Sequence, residues 1–297
     1  MKLLVTGSLG ATPEDLEAIR ALGHEVTLHP DERIPVEHPE AFEGAICNSI
    51  FHYTTHEGFT GLKHLQITSA GYDRVPLDWV KEKGIRLFNA GGAYAPPMAE
   101  WTVMRILELL KHVPQGFRNQ LAGEYKKDRT WQELGEKSVL LLGFGAYGRE
   151  IAMRLKPFGA HLTVLNRTVR QDPHVDAFYP LEKLPELLPQ ADILILAIGH
   201  SPETHHILNE KALQSMKPGS LLINAARGGL IDEPALINAL QKGPLAGAAL
   251  DVFETEPLPA DSPLWKLDNV LLSPHNSFSG EWNHKRMMEV VLRNLQS

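Results

Sequence analysis

The sequence predicts an α/β protein built as two doubly wound parallel sheets. Three observations lead there. Short apolar runs alternate with helix-compatible stretches over the first ninety or so residues, the same alternation resumes at Ser138, and one long apolar-periodic stretch lies between the two regions. Strands that alternate with helices pair in parallel and are covered on both faces.

In the first region, residues 2–6, 25–28, 44–47, 64–68 and 85–88 read as strands. Thr12-Pro13-Glu14-Asp15 reads as a capping box with proline at the first helical position, opening a helix that ends near Gly23. A second helix fits residues 77–83. Ala95-Pro96-Pro97 then punctuates the chain, and residues 98–112 place Trp101, Met104, Leu107 and Leu110 on one helical face. We read that stretch as a connecting helix, and Glu100 on it as structural. Beyond the polar residues 124–129, strands fit 138–142, 161–165, 193–197, 221–224, 246–251 and 270–272, with helices at 147–158, 181–188, 210–216 and 233–241. The expected domains are 1–94, 95–276, and a C-terminal segment 277–297 whose helix, near 281–296, returns to the first domain.

The bulk numbers narrow the partners. A chain of 297 residues is long enough for two cores. A net charge of −7 gives no support for nucleic-acid binding, which needs a basic field. No apolar run reaches the length of a membrane span, and the start is too short for a signal-peptide apolar region, so a cytoplasmic protein is expected. The one cysteine, Cys47, excludes an internal disulfide; without an activating base beside it, it reads as a small buried hydrophobe.

The glycine spacing carries the first chemical inference. Gly143, Gly145 and Gly148 form G-x-G-x-x-G after an apolar strand and before a helix-compatible stretch. The first glycine permits the tight turn, the second lets a pyrophosphate approach the backbone, and the third lets helix pack on strand. The helix N-terminus supplies unpaired N–H groups to the anion. The second sheet is therefore expected to be a Rossmann dinucleotide-binding domain, with Ala146 and Tyr147 in the phosphate loop.

Three later strand ends carry polar groups. Asn224-Ala225-Ala226-Arg227-Gly228-Gly229 follows one strand, Asp251 to Glu256-Pro257 follows another, and Ser273-Pro274-His275 ends a third. In an open parallel sheet such ends line the ligand crevice. Taken with the glycine loop and Thr68-Ser69-Ala70-Gly71-Tyr72-Asp73, their order and spacing resemble the D-isomer-specific 2-hydroxyacid dehydrogenase family along essentially the whole chain.

The resemblance implies an NAD(P)-dependent enzyme that moves a hydride between a nicotinamide and a small 2-oxo or 2-hydroxy acid, with glyoxylate or hydroxypyruvate favoured. It implies His275 as proton donor and acceptor, suited by an imidazole that titrates near neutrality. Glu256 would hold that ring and favour its charged form. Arg227 would bind the substrate carboxylate through its forked donors. Asp251 would orient the nicotinamide carboxamide, and Ala225 would line the coenzyme site. The N–H groups of Ala70 and Gly71 would complete the carboxylate cradle from the first, substrate-binding domain, with Ser49, Ile50 and Tyr72 shaping the pocket. It also implies a homodimer; no metal is expected. Two departures from the family pattern stand out: Tyr147 at the glycine loop, where the family often carries an arginine-isoleucine pair, and Gly199-His200-Ser201-Pro202 after the third strand of the second domain, in place of a leucine-proline start.

The strand end at Asn166-Arg167-Thr168 bears on the coenzyme. NAD-specific sheets carry a carboxylate there for the ribose 2′-hydroxyl. Here no carboxylate stands at that end, and Arg167, with Asn166, Thr168 and Arg170, can meet a 2′-phosphate. NADP(H) is expected to be preferred, with NAD(H) possible. The competing readings are a dehydrogenase of a phosphorylated hydroxy acid, formate or phosphite, and a non-catalytic dinucleotide sensor on the same scaffold.

Overall fold

The computed structural model describes residues 1–297 as two compact units, Met1–Tyr94 with Gly280–Ser297, and Ala95–Ser279. In the first unit, strands β1 (Lys2–Thr6), β2 (Glu25–His29), β3 (Gly44–Cys47), β4 (His64–Ile67) and β5 (Arg86–Phe88) form an all-parallel sheet in the order β2-β1-β3-β4-β5. Helices α1 (Pro13–Ala21) and α2 (Leu77–Glu82) connect them. The pleat sends alternate side chains to opposite faces. Leu3 and Val5 meet Ile19 of α1, while Leu4 packs with Ala45, Leu65, Trp79 and Val80. The capping box at Thr12 forms as expected, with Asp15 and Thr12 each accepting the other's backbone N–H.

Helix α3 (Gly91–Leu110) corrects the expectation that Pro96 and Pro97 punctuate the chain, because it runs through both. Each proline removes an N–H that a carbonyl four residues earlier would accept. The carbonyl that Pro97 leaves over, on Ala93, accepts instead from Arg286 Nε at 2.8 Å. That arginine comes from the C-terminal helix, so one of the two freed carbonyls is satisfied from far along the chain.

The second unit continues with α4 (Val113–Leu121), β6 (Ser138–Leu142), α5 (Ala146–Leu155), β7 (His161–Leu165), β8 (Ala177–Tyr179), α6 (Leu184–Leu187), β9 (Ile193–Leu196), α7 (Glu210–Gln214), β10 (Ser220–Asn224), α8 (Glu233–Gln241), β11 (Leu245–Leu250) and β12 (Val270–Leu272). Its parallel sheet runs β12-β11-β10-β9-β6-β7-β8. One strand, β8, is additional to the six expected; it is three residues long and too short to stand out in the sequence. Val139, Leu141, Ile193, Ile195 and Ile223 face one core, and Leu140, Leu142, Leu194, Leu196 and Leu222 the other. The chain leaves β6 towards β7 and returns to β9 on β6's other side, so the strand order reverses there. Ligands bind outside the carboxyl ends of the strands at such a reversal.

Helix α9 (Asn283–Leu295) belongs to the first unit, where Met287, Met288, Val291 and Leu295 enter the same core as Leu3 and Val5. His284 on it reaches Asp15 at 2.7 Å.

One buried group in the first unit makes its stability sensitive to acid. His64 is fully buried, stacks on Phe88 at 4.8 Å, and neither ring nitrogen has a hydrogen-bond partner. Burial first, then the nearby charges of Arg86 and His24, lower its pKa to about 4. The folded protein thus holds a neutral ring that the unfolded chain protonates near its ordinary value of about 6.5. Stability should fall as pH drops from about 6.5 to about 4, by on the order of 3 kcal/mol, and lose nothing further from this group below that. Urea unfolding of His64→Leu against the parent across that window should show a shallower dependence in the variant. Parallel curves would remove His64 from the account.

Candidate active site

The glycine loop lies at the carboxyl end of β6. Gly143 has φ 98°, and a Cβ there would lie 2.4 Å from the carbonyl oxygen of Ala197, just past β9. A Cβ on Gly148 would lie 2.4 Å from the carbonyl oxygen of Gly143, so only glycine lets α5 start this close to the turn. Gly145, by contrast, has open space where its Cβ would be. It is the N-cap of α5, and no side chain caps the first turn. An open glycine and uncapped helical N–H groups fit a dinucleotide phosphate.

Several neighbours of the loop are committed elsewhere. The Tyr147 hydroxyl bonds Thr102 at 2.6 Å, which leaves the residue's main-chain N–H, not its side chain, for a phosphate. Asn166 accepts from the N–H of Phe144 at 3.3 Å and donates to the Thr168 carbonyl at 2.9 Å, tying the end of β7 to the glycine loop. Both ends of its amide are therefore occupied. Arg167, Thr168 and Arg170 are exposed. Arg167 is close enough to help hold the Glu203 carboxyl below its ordinary value, behind the hydrogen bond from Ser201.

The three polar strand ends come from neighbouring strands β10, β11 and β12. At the first, buried Asn224 accepts from the Ala226 N–H at 3.0 Å and donates to the Arg227 carbonyl at 2.9 Å, folding residues 224–227 into a tight turn past Ala225. The Arg227 guanidinium donates to the Ala226 carbonyl at 2.7 Å. A Cβ on Gly228 would fall 1.9 Å from the Phe253 carbonyl, so the Arg227 turn lies flat on the chain that follows β11.

At the second, Asp251 is fully buried. Its carboxylate accepts from Ser273 Oγ at 2.6 Å, Asn276 N–H at 3.0 Å and Ser277 N–H at 2.9 Å, while its carbonyl accepts from the His275 N–H at 2.8 Å. Its carboxylate is engaged chiefly in holding the loop that carries His275.

At the third, His275 sits in the left-handed region, φ 49°, uncommon for a residue with a side chain. Its Nδ1 lies 2.7 Å from Glu256 Oε2, and Glu256 Oε1 accepts from the Phe253 N–H at 3.0 Å. A carboxylate only accepts, so Nδ1 carries the proton of that bond and Nε2 is left to exchange one. Arg227, Glu256 and His275 line one cleft of about 570 Å³, together with His200, His205, His206 and Glu254. Of these, His200 stands where the sequence departs from the family pattern.

In the first unit, Ala70 is exposed, and its carbonyl accepts from Asn89 at 2.7 Å; the Gly71 carbonyl accepts from the Ser69 hydroxyl at 2.9 Å. In a trans peptide the N–H points opposite the carbonyl, so the first bond fixes the direction of the Gly71 N–H. Ser49 and Asn48 donate their N–H groups to Glu32 at 2.5 and 2.7 Å. Burial alone would raise the Glu32 carboxyl, but these bonds and one from Thr6 outweigh it and hold the group below its ordinary range. No local pattern marked Glu32 in advance. Ile50 is a fully buried core residue. Cys47 is buried as expected, and burial pushes its thiol far up. Glu100 pairs with Arg154 at 3.3 Å.

Comparison with known proteins agrees with this architecture. Residues 103–277 match the family model for the D-isomer specific 2-hydroxyacid dehydrogenase, NAD binding domain. The glyoxylate reductase of Thermofilum pendens is 35% identical over 244 residues, covering 79% of this chain and 71% of that protein. The D-lactate dehydrogenase of Aquifex aeolicus, solved with NAD and lactic acid, superposes with a TM-score of 0.78 at 27% identity, covering 99% of this chain and 94% of that one. A D-isomer specific 2-hydroxyacid dehydrogenase of Xanthobacter autotrophicus, solved with NADPH, gives 0.82 at 29% identity, with 99% and 95% covered. The chain belongs to the D-isomer-specific 2-hydroxyacid dehydrogenases, NAD(P)-dependent oxidoreductases of small 2-hydroxy and 2-oxo acids.

Proposed function

We propose that the protein reduces glyoxylate or hydroxypyruvate, with NADPH preferred and His275 as the proton donor. The observation that carries the reading is the 2.7 Å contact between His275 Nδ1 and Glu256 in the cleft that also holds Arg227. A bound nicotinamide dinucleotide supplies the hydride in reduction and takes it up in oxidation. His275 starts as the imidazolium, stabilised by Glu256, and gives its Nε2 proton to the carbonyl oxygen as the carbon is reduced. It is left as the Nδ1–H tautomer, with the bond to Glu256 intact. Arg227 holds the substrate carboxylate and draws electron density from the adjacent carbonyl. Gly143, Gly145, Ala146, Gly148 and the Tyr147 N–H are assigned to the coenzyme phosphates, with Ala225 beside the coenzyme. Asp251 keeps at most one lone pair for a carboxamide. Ser49, Ala70 and Gly71 are the first unit's proposed contribution to substrate binding. The substrate class is supported by the likeness to the Thermofilum reductase.

We place the protein in the cytoplasm as a homodimer. Phe117, Leu121, Tyr125 and Trp131, all exposed on the segment from α4 onward, supply apolar surface for a second copy to cover.

His275→Ala should lower kcat by about two to four orders of magnitude, the usual general acid–base contribution, with coenzyme Kd nearly unchanged. Near-normal turnover would sink the assignment.

The coenzyme preference rests on the end of β7, which presents Arg167 and no carboxylate. The Xanthobacter relative was solved with NADPH and the Aquifex one with NAD, so the family accommodates both. Since Asn166 is occupied by the glycine loop, Arg167 is the cleaner target. The parent should show a higher kcat/KM with NADPH than with NADH. Arg167→Ser should erode that ratio by about tenfold or more, the weight of one charge-assisted contact. Equal or better use of NADH by the parent would show this reading of the strand end to be wrong.

A further inference from the structure

The cleft contains a second imidazole–carboxylate pair, His206 with Glu254, two residues along the chain from the Glu256 that holds His275. Nothing in the proposed proton transfer uses it. Its surroundings say what it is for.

The turn that carries Arg227 lies between two walls. On one side, residues 253 and 254 press on Gly228, where a Cβ would fall 1.9 Å from the Phe253 carbonyl and 2.5 Å from the Glu254 nitrogen. On the other, the Gly229 carbonyl accepts from the His206 N–H at 2.9 Å and from His205 Nδ1 at 3.1 Å. A carbonyl only accepts, so His205 carries its proton on Nδ1, and His200 Nε2, 3.2 Å away, is a second acceptor for it. The His200 ring fills the space a Gly229 Cβ would need, 2.9 Å from it. The His206 ring stacks on His205 at 3.8 Å and reaches across to the Glu254 carboxylate, joining one wall to the other. His206 holds φ 48° to do so. A left-handed backbone at a residue with a side chain is retained where surrounding contacts over-determine it.

We propose that His206 and Glu254 are positioning residues for Arg227: their bridge closes the two walls on the Arg227–Gly229 turn and sets the aim of the guanidinium. The proposal rests on the assignment of Arg227 to the substrate carboxylate. Loosening the bridge acts on substrate capture and leaves the His275–Glu256 pair and the glycine loop in place.

The test compares KM and kcat for the 2-oxo acid, and coenzyme Kd, in four variants. His206→Asn tolerates the left-handed backbone but is too short to reach Glu254. His206→Gln can still donate to the carboxylate. Glu254→Ala removes the acceptor, and His206→Asn/Glu254→Ala removes both. His206→Asn and Glu254→Ala should each raise KM on the order of tenfold, the weight of one charge-assisted bond. kcat should change by less than about threefold and coenzyme Kd should hold, the pattern of lost substrate binding. The double variant should be no worse than either single one, and His206→Gln should recover most of the loss. Unchanged KM in both single variants, additive losses in the double, or a His206→Gln as impaired as His206→Asn would overturn the proposal. Arg227→Lys, measured alongside, separates the two layers. If it leaves KM unmoved, the assignment of Arg227 is at fault; if it raises KM while the His206 and Glu254 variants do not, the bridge is.

Discussion

The buried carboxylate of Asp251 is the constraint on which the rest of the site depends. A charge taken out of water is costly unless donors replace the lost hydration. Here Ser273, Asn276 and Ser277 supply them, and all lie in the loop that carries His275. The arrangement works in both directions. The loop keeps the carboxylate solvated, and the carboxylate keeps His275 in a left-handed backbone that costs roughly 1–2 kcal/mol for a residue with a side chain. Glu256 then has a fixed ring to hold. Without the Asp251 anchor, the 2.7 Å contact between His275 and Glu256 would have to order the loop by itself.

Topology explains why so few residues suffice. Because every strand of the second sheet is parallel, their carboxyl ends fall along one edge, and the order β12-β11-β10 sets the His275, Asp251 and Arg227 ends side by side. The glycine loop follows β6, where the strand order reverses, and the β9 end presses on it through Ala197. Backbone proximity does the remaining work. Gly228 and Gly143 sit where a single added carbon would collide with a neighbouring main chain. Arg227 is therefore aimed by the path of two adjacent chains more than by its own flexible side chain.

The parts legible in the sequence are those whose cause is local. The capping box at Thr12, the glycine spacing at 143–148 and the alternation of strand and helix each depend on residues within a few positions of one another. What could not be read depends on distant partners. Helix α3 passes through Pro96 and Pro97, and the carbonyl that Pro97 frees, on Ala93, is met by Arg286, nearly two hundred positions away. The bond from the Tyr147 hydroxyl to Thr102 on α3 joins residues 45 positions apart. That Asn166 also ties the end of β7 to the N–H of Phe144 follows only from the packing. The burial of Asp251 and its three donors from beyond β12 follow only from the packing. Glu32 had no signature, since its donors at Thr6, Asn48 and Ser49 converge only once β1 and β3 are paired.

The protein delivers His275 with its proton placed in advance, Nδ1–H towards Glu256 and Nε2 open for exchange. Nitrogen-15 NMR of histidine-labelled protein reads this directly, with the His275 signal assigned by its loss in His275→Gln. At a pH where the ring is neutral, the Nδ1–H tautomer is expected, and Glu256→Gln should change the Nδ1 signal. A neutral ring found as the Nε2–H tautomer, or one indifferent to Glu256, would contradict it.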